Sequence, residues 1–370
     1  MTVGGLQSSM AFLNPGESNR DLSLQPPSTT VKMLTSIWRS VLNQPSTGID
    51  DNFFRSGGSI QSADLLFAEI AQKSGRELPS ATIFQAPTIS SLASLLDQPD
   101  LPRFSPFVRL KAGSQKTPIL IAPGLDGRAS FSGLAKRIRT EHPIYGIQAK
   151  GVDGLEEPQD RIEDMAQFYL DALHELQPEG PYMLIGYSFG GLVALEMAQR
   201  LSEQQKNVGL LVLVDAYPHP RYLSAGQRLR LIAQRTKSHL LAMKQPTIGG
   251  SISYLRSELE RRLRLAGVHR RGTHLPEPSS LSLAQTTLRV KRKAYEALEN
   301  YRPRVYRGKI KFVKSETDTY FPGDPCSVWA HLAAAFEVET VRGSHLDMVT
   351  THFEGLSDVL TRYVIEAVGP

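Results

Sequence analysis

The order of elements legible in this 370-residue chain predicts an α/β fold, a mostly parallel sheet crossed by helices, preceded by a small all-α bundle. Three observations carry that expectation. From about residue 115 onward, short apolar runs alternate with amphipathic helical stretches, the grammar of parallel strands joined by crossover helices. Between about residues 30 and 98 the periodicity is helical only. Pro99, Pro102 and Pro106 separate the two regions and read as a linker.

Residues 1–29, rich in Ser, Gly, Pro and Asn, have no sustained periodicity and read as a flexible leader. Val31, Leu34, Ile37, Trp38, Val41 and Leu42 then recur at helical spacing. A loop through Pro45, Gly48 and Asp50-Asp51 leads to a second amphipathic segment from Ser59 to about Gly75, and a third helix is expected near Thr88 to Leu96. The bundle therefore spans 30–98, the linker 99–114 and the α/β domain 115–370. Strands are expected at Ile119–Ala122, Ile144–Gln148, Tyr182–Ile185, Leu210–Val214, Lys309–Val313 and Phe336–Val341. Helices are expected near 130–140, 161–176, 189–203 and 356–368, with a helical insertion over the sheet at about 221–300.

Composition excludes several classes. Hydrophobic content of 41% and charged content of 21% are those of a soluble globular protein. No run approaches the roughly 18 apolar residues of a membrane span. The N-terminal stretch lacks a secretion signal's basic start, its first basic residue being Arg20, so a cytoplasmic location is expected. The single cysteine, Cys326, excludes an internal disulfide and a multi-cysteine metal site; no metal is expected. The net charge of +5 comes from one segment, 221–271, with twelve Lys and Arg against two acids. No zinc-finger or aromatic-basic signature accompanies it, so nucleic acid is not an expected partner.

The chemistry concentrates in G-Y-S-F-G-G at 186–191. An apolar strand (Met183, Leu184, Ile185) precedes it and a helix (Leu192, Val193, Leu195, Met197) follows, the context of a nucleophile elbow in an α/β-hydrolase fold. Ser188 is the candidate nucleophile. A serine hydroxyl needs a base, itself held by an acid, and in this fold the chain order is Ser, Asp or Glu, then His. Asp215 ends the strand Leu210–Val214; Asp318, after the strand Lys309–Val313, is the alternative acid. Of nine histidines, only His345, in G-S-H-L-D-M, comes directly after the last expected strand and before the final helix; His352 opens that helix. The backbone N–H of Phe189 and that of Gly124, in P-G-L-D-G at 123–127, are the candidate oxyanion donors, with Leu125 the alternative to Gly124.

With Leu-Gln-Pro-Glu-Gly-Pro-Tyr (176–182), the elbow and the late G-S-H in view, residues from about 115 onward resemble the thioesterase domains that end nonribosomal peptide synthetases. The resemblance implies a helical lid between the triad acid and the next strand, matching the insertion. It also places the acid 27 residues after the serine, the separation of Asp215 from Ser188. The stretch G-I-D-D-N-F-F-R-S-G-G-S-I-Q-S (48–62) resembles a phosphopantetheine carrier domain, with its D-x-F-F-x-x-G-G-[DH]-S-[LI]. This chain has G-G-S where that family has G-G-D-S or G-G-H-S. Ser59 fits as the attachment serine with one residue missing before it, whereas strict counting puts Ile60 there. The resemblance implies covalent 4′-phosphopantetheine, a phosphopantetheinyl transferase, upstream synthetase modules or an adenylation enzyme, and an acyl or peptidyl thioester released by hydrolysis or cyclisation. The rival readings are a stand-alone serine esterase with an unloaded bundle and a non-catalytic relic.

Overall fold

A computed structural model describes residues 28–98, 104–229, 231, 282–317 and 324–369. The leader as far as residue 27, residues 99–103 of the linker, Asp318 and most of the basic insertion lie outside the described residues.

The N-terminal apolar periodicity closes into four helices, α1 (Thr29–Leu42), α2 (Ile60–Ser74), α3 (Thr82–Gln85) and α4 (Ile89–Leu96). Ser28 and Thr29, read as the end of the leader, instead start α1. Ser28 Oγ accepts from Val31 N at 3.2 Å, satisfying one of the N–H groups a helix start leaves without a partner. Leu34, Trp38, Phe53, Leu66 and Ile70 are buried in one core. The Trp38 and Phe53 rings meet edge-to-face, centroids 5.1 Å apart, the arrangement aromatic quadrupoles favour.

The α/β part holds a seven-stranded sheet in the order β1-β3-β2-β4-β5-β6-β7. Its strands are β1 (Phe107–Lys111), β2 (Ile119–Ala122), β3 (Ile144–Ile147), β4 (Tyr182–Tyr187), β5 (Val208–Val214), β6 (Tyr306–Ser315) and β7 (Ala333–Val341). β1 is antiparallel to β3 and every other pair is parallel. β1 corrects the linker reading of 99–114. Proline density suggested a spacer, but Pro106 stands just before an edge strand, where a missing N–H removes no ladder bond, and its carbonyl accepts from Gln148 N at 2.8 Å.

Both faces of the sheet are covered, which explains its continuous apolar strands. Leu184, Leu211 and Leu213 pack with α6 (Ile162–Leu176), α7 (Phe189–Glu203) and α8 (Leu283–Asn300). Met183, Ile185, Leu210 and Val212 pack on the other side with α5 (Ser132–Arg137) and the final helix α11 (Phe353–Val368). The short α9 (Cys326–Trp329) and α10 (Asp347–Thr350) flank β7. Of the insertion expected over 221–300, α8 is described; it buries Val290, Ala294 and Ala297.

Candidate active site

Parallel strands deliver their following loops to one edge, where open α/β sheets gather ligand sites. Gly124 follows β2, Ser188 follows β4, Asp215 follows β5 and His345 follows β7. Ser188 sits at φ 54°, ψ −122° as the N-cap of α7, a conformation unusual for a residue with a Cβ. It is pinned by Ser188 N donating to Val214 O at 2.8 Å and Gly191 N donating to Ser188 O at 3.0 Å. The turn needs glycine beneath it: a Cβ on Gly190 would stand 2.3 Å from Pro123 O, so a side chain there would push the elbow off the β2 loop.

The three side chains form one line. His345 Nε2 lies 3.1 Å from Ser188 Oγ, and His345 Nδ1 lies 2.8 Å from Asp215 Oδ2. Asp215 is 2% exposed and its N–H donates to Val313 O at 2.8 Å. A buried carboxylate needs donors, and Ser315 Oγ supplies a second at 2.8 Å. Asp318, the alternative acid, lies outside the described residues.

Other groups hold His345 that the sequence reading did not single out. Tyr187 OH donates to His345 O at 2.9 Å, and the two rings stack with centroids 4.9 Å apart. Burial, reinforced by the carboxylates of Asp215 and Asp126, pushes the Tyr187 phenol well above its ordinary range, so it remains a donor at neutral pH. Ser344 and Asp347 tie down the loop from below: Ser344 Oγ donates to Asp347 Oδ2 at 2.5 Å. That bond holds the Asp347 carboxyl below its usual range. The signals were present in the sequence, Tyr187 inside the elbow motif and Asp347 two residues after His345, but only the fold shows what each one touches.

Gly124 backs onto Ser188, since a Cβ built on Gly124 would lie 3.8 Å from Ser188 Cβ. Phe189 is the first residue of α7, where a helix N–H has no partner within the helix and points at the dipole's positive end. Gly124, Leu125, Phe189, Met165, Tyr169 and Val290 border a cleft that is open at its mouth and mainly apolar. A hydroxyl, an imidazole and a buried carboxylate in series, beside backbone donors and an apolar cleft, suit acyl transfer.

Ser59 lies elsewhere, exposed at the N-cap of α2. Its Oγ accepts from Ser62 N at 3.1 Å, and Ser62 Oγ accepts from Ser59 N at 2.7 Å, a reciprocal capping box. Among the described residues, no group of three or more His, Cys, Asp or Glu side chains is placed to hold a metal ion.

Comparison with known proteins finds two family matches. The thioesterase domain family matches residues 118–363, and the phosphopantetheine attachment site family matches residues 33–96. A dimodular nonribosomal peptide synthase of Bacillus subtilis (strain 168) is 36% identical over 190 residues, which is 51% of this chain and 8% of that protein. Malpibaldin synthetase of Mortierella alpina is 28% identical over 334 residues, 88% of this chain and 6% of that protein. The chain thus spans less than a tenth of the length of either relative. Among solved structures, a four-domain nonribosomal peptide synthetase in its holo form, bound to AMP and glycine, superposes over 95% of this chain and 27% of that one. The TM-score is 0.53 at 20% identity, a likeness of fold.

Proposed function

This chain belongs to the thioesterase domain family, and we propose that it releases an acyl or peptidyl chain from a carrier-bound thioester through an acyl-Ser188 intermediate, as a termination unit of nonribosomal peptide biosynthesis. The observation that carries the reading is the continuous hydrogen-bonded line from Ser188 through His345 to Asp215, with the serine held at positive φ above a helix N-terminus.

His345 Nε2 takes the hydroxyl proton as Ser188 Oγ attacks the thioester carbonyl. The carbonyl electron pair moves onto oxygen, where the N–H groups of Gly124 and Phe189 receive it. The C–S bond then breaks and His345 returns the proton to the leaving sulfur. Asp215 keeps Nδ1 protonated and stabilises the imidazolium. Water, or a hydroxyl or amine of the chain itself, resolves the acyl-serine to give a free acid or a ring.

The site for the carrier group is Ser59. Its hydroxyl is exposed at the start of a 15-residue helix, whose unpaired N–H groups and dipole suit a phosphate ester. When attached, 4′-phosphopantetheine supplies the thiol that holds the acyl chain. Loading requires a phosphopantetheinyl transferase, and the chain to be released comes from upstream synthetase modules or an adenylation enzyme.

The test is covalent. An alkyl fluorophosphonate should add one phosphonyl group, mapped to Ser188 by peptide mass analysis. Ser188→Ala should abolish both the adduct and, by several orders of magnitude, thioester turnover. Near-parental turnover in that variant would defeat the reading.

A further inference from the structure

Arg128 follows directly on the P-G-L-D-G turn and is 8% exposed, a cation almost wholly removed from water. Its surroundings come from three parts of the chain. Its Nη2 donates to Thr287 Oγ1 of α8, and Thr287 Oγ1 in turn donates to Leu283 O at 2.7 Å. Its guanidinium lies over the Phe84 ring of α3, 4.2 Å from the centroid. Its Nε is buried with no hydrogen-bond partner. Asp126 is the nearby opposite charge; burial outweighs it and lowers the guanidinium from its ordinary range.

A desolvated cation is tolerated only while its neighbours replace water, and one of these neighbours belongs to the N-terminal bundle. Phe84 stacks on Phe54, centroids 5.0 Å apart at 11°. Phe54 meets Phe53 at 5.4 Å, and Phe53 O accepts from Gly58 N at 2.8 Å, one residue before Ser59. The Phe53-Phe54 pair of the attachment motif thus links the Ser59 turn to Arg128. A second anchor runs beside it, Leu283 N at the start of α8 donating to Asp64 Oδ1 of α2 at 2.9 Å, with Leu283 buried in the bundle core.

On its other side Arg128 is tied to the turn that holds Gly124. Gly127 N donates to Gly124 O at 3.1 Å and Gly127 O accepts from Ala149 N at 2.8 Å. Gly127 has φ +69°, and a Cβ there would stand 2.5 Å from Ala149 Cβ and 2.8 Å from Val290 Cγ1 of α8. The turn just before Arg128 is therefore packed closely against Ala149 and against Val290 of α8.

We infer that Arg128 is a positioning residue that senses the seated carrier: with Phe84 over its guanidinium and Thr287 on its Nη2, it holds the Gly124 turn in the geometry that receives the oxyanion beside Ser188. When the bundle leaves, water reaches the guanidinium, its hold on Thr287 is lost, and the Gly124 donor loosens. Release is thereby confined to a thioester presented by the docked carrier. The inference rests on the proposed roles of Ser188 and Gly124.

The test uses the full, unloaded chain and the rate of Ser188 labelling by a small alkyl fluorophosphonate, whose phosphoryl oxygen occupies the oxyanion position and which needs no carrier arm. Phe84→Leu, on the other domain from the serine, should slow labelling at least ten-fold. Arg128→Ala should slow it equally, and the double variant should be no slower than Arg128→Ala alone, because both changes break one device. Phe84→Tyr, which keeps the ring, should label at the parental rate. Should Arg128→Ala fail to fold, Arg128→Lys, which keeps the charge but not the planar stack, should show the same slowing. Parental labelling in Phe84→Leu, or losses that multiply in the double variant, would overturn the coupling alone. No labelling in the parent protein would overturn the acyl-serine reading and this inference with it.

Discussion

Ser188 and Asp215 both hold positive φ, 54° and 48°, and each such residue costs on the order of 1–3 kcal/mol. The conformation is paid for by neighbouring strands: the Ser188 N–H goes to the end of β5 and the Asp215 N–H to β6. Asp215→Asn keeps the shape but offers His345 an amide, which favours the wrong tautomer, so kcat should fall by about 10⁴ with KM little changed. Ser315→Ala removes one donor to the same carboxylate and should cost about ten-fold, in line with one lost hydrogen bond of about 1–1.5 kcal/mol. Steady-state rates on a soluble thioester would rank the two; a larger loss from Ser315→Ala would contradict the assignment of Asp215.

Among elements, α7 shows why the nucleophile is rigid. Leu192, Leu195, Met197 and Ala198 are fully buried on a helix wedged against the sheet, and its buried Glu196 is satisfied by Arg200 at 2.9 Å and Tyr301 OH at 3.0 Å. The acid loop is braced differently. Trp329 of α9 is fully buried and its Nε1 donates to Ala216 O at 2.9 Å, one residue after Asp215. Trp329→Phe leaves that carbonyl buried without its donor and should lower unfolding free energy by about 1–3 kcal/mol. Chemical denaturation followed by circular dichroism measures it. An unchanged midpoint would mean that the carbonyl finds another donor.

At the scale of the whole molecule, a carrier-type bundle and an acyl-transfer site share one chain, joined through α8 and Arg128. Tethering raises the effective concentration of a thioester at Ser188 without any new contact. The expected outcome of incubation with coenzyme A and a phosphopantetheinyl transferase is one phosphopantetheine group, at Ser59. Intact mass followed by peptide mapping distinguishes this from modification at Ser62, which would show that the one-residue-shortened G-G-S motif was aligned wrongly. An unmodified, folded protein beside a control carrier that loads would instead mean that the thioester arrives in trans.

Much of this was legible in one dimension because it is written in local periodicity. The alternation of apolar runs and amphipathic helices gave six of the seven strands near their observed positions, and the strand–turn–helix around Ser188 needed only its neighbours in sequence. Chain order singled out His345 but left Asp215 and Asp318 both open as the acid; the 27-residue spacing of the resembled family favoured Asp215. The edge strand β1 was missed, because four half-buried residues and one exposed residue beside three prolines carry almost no periodic signal. Which groups orient His345, and that Arg128 lies beneath Phe84, depend on residues brought together from separate elements. Tyr187 and His345 are 158 positions apart, Arg128 and Thr287 159. A side chain's buried partner across such distances is set by packing of whole layers, and no local pattern encodes it.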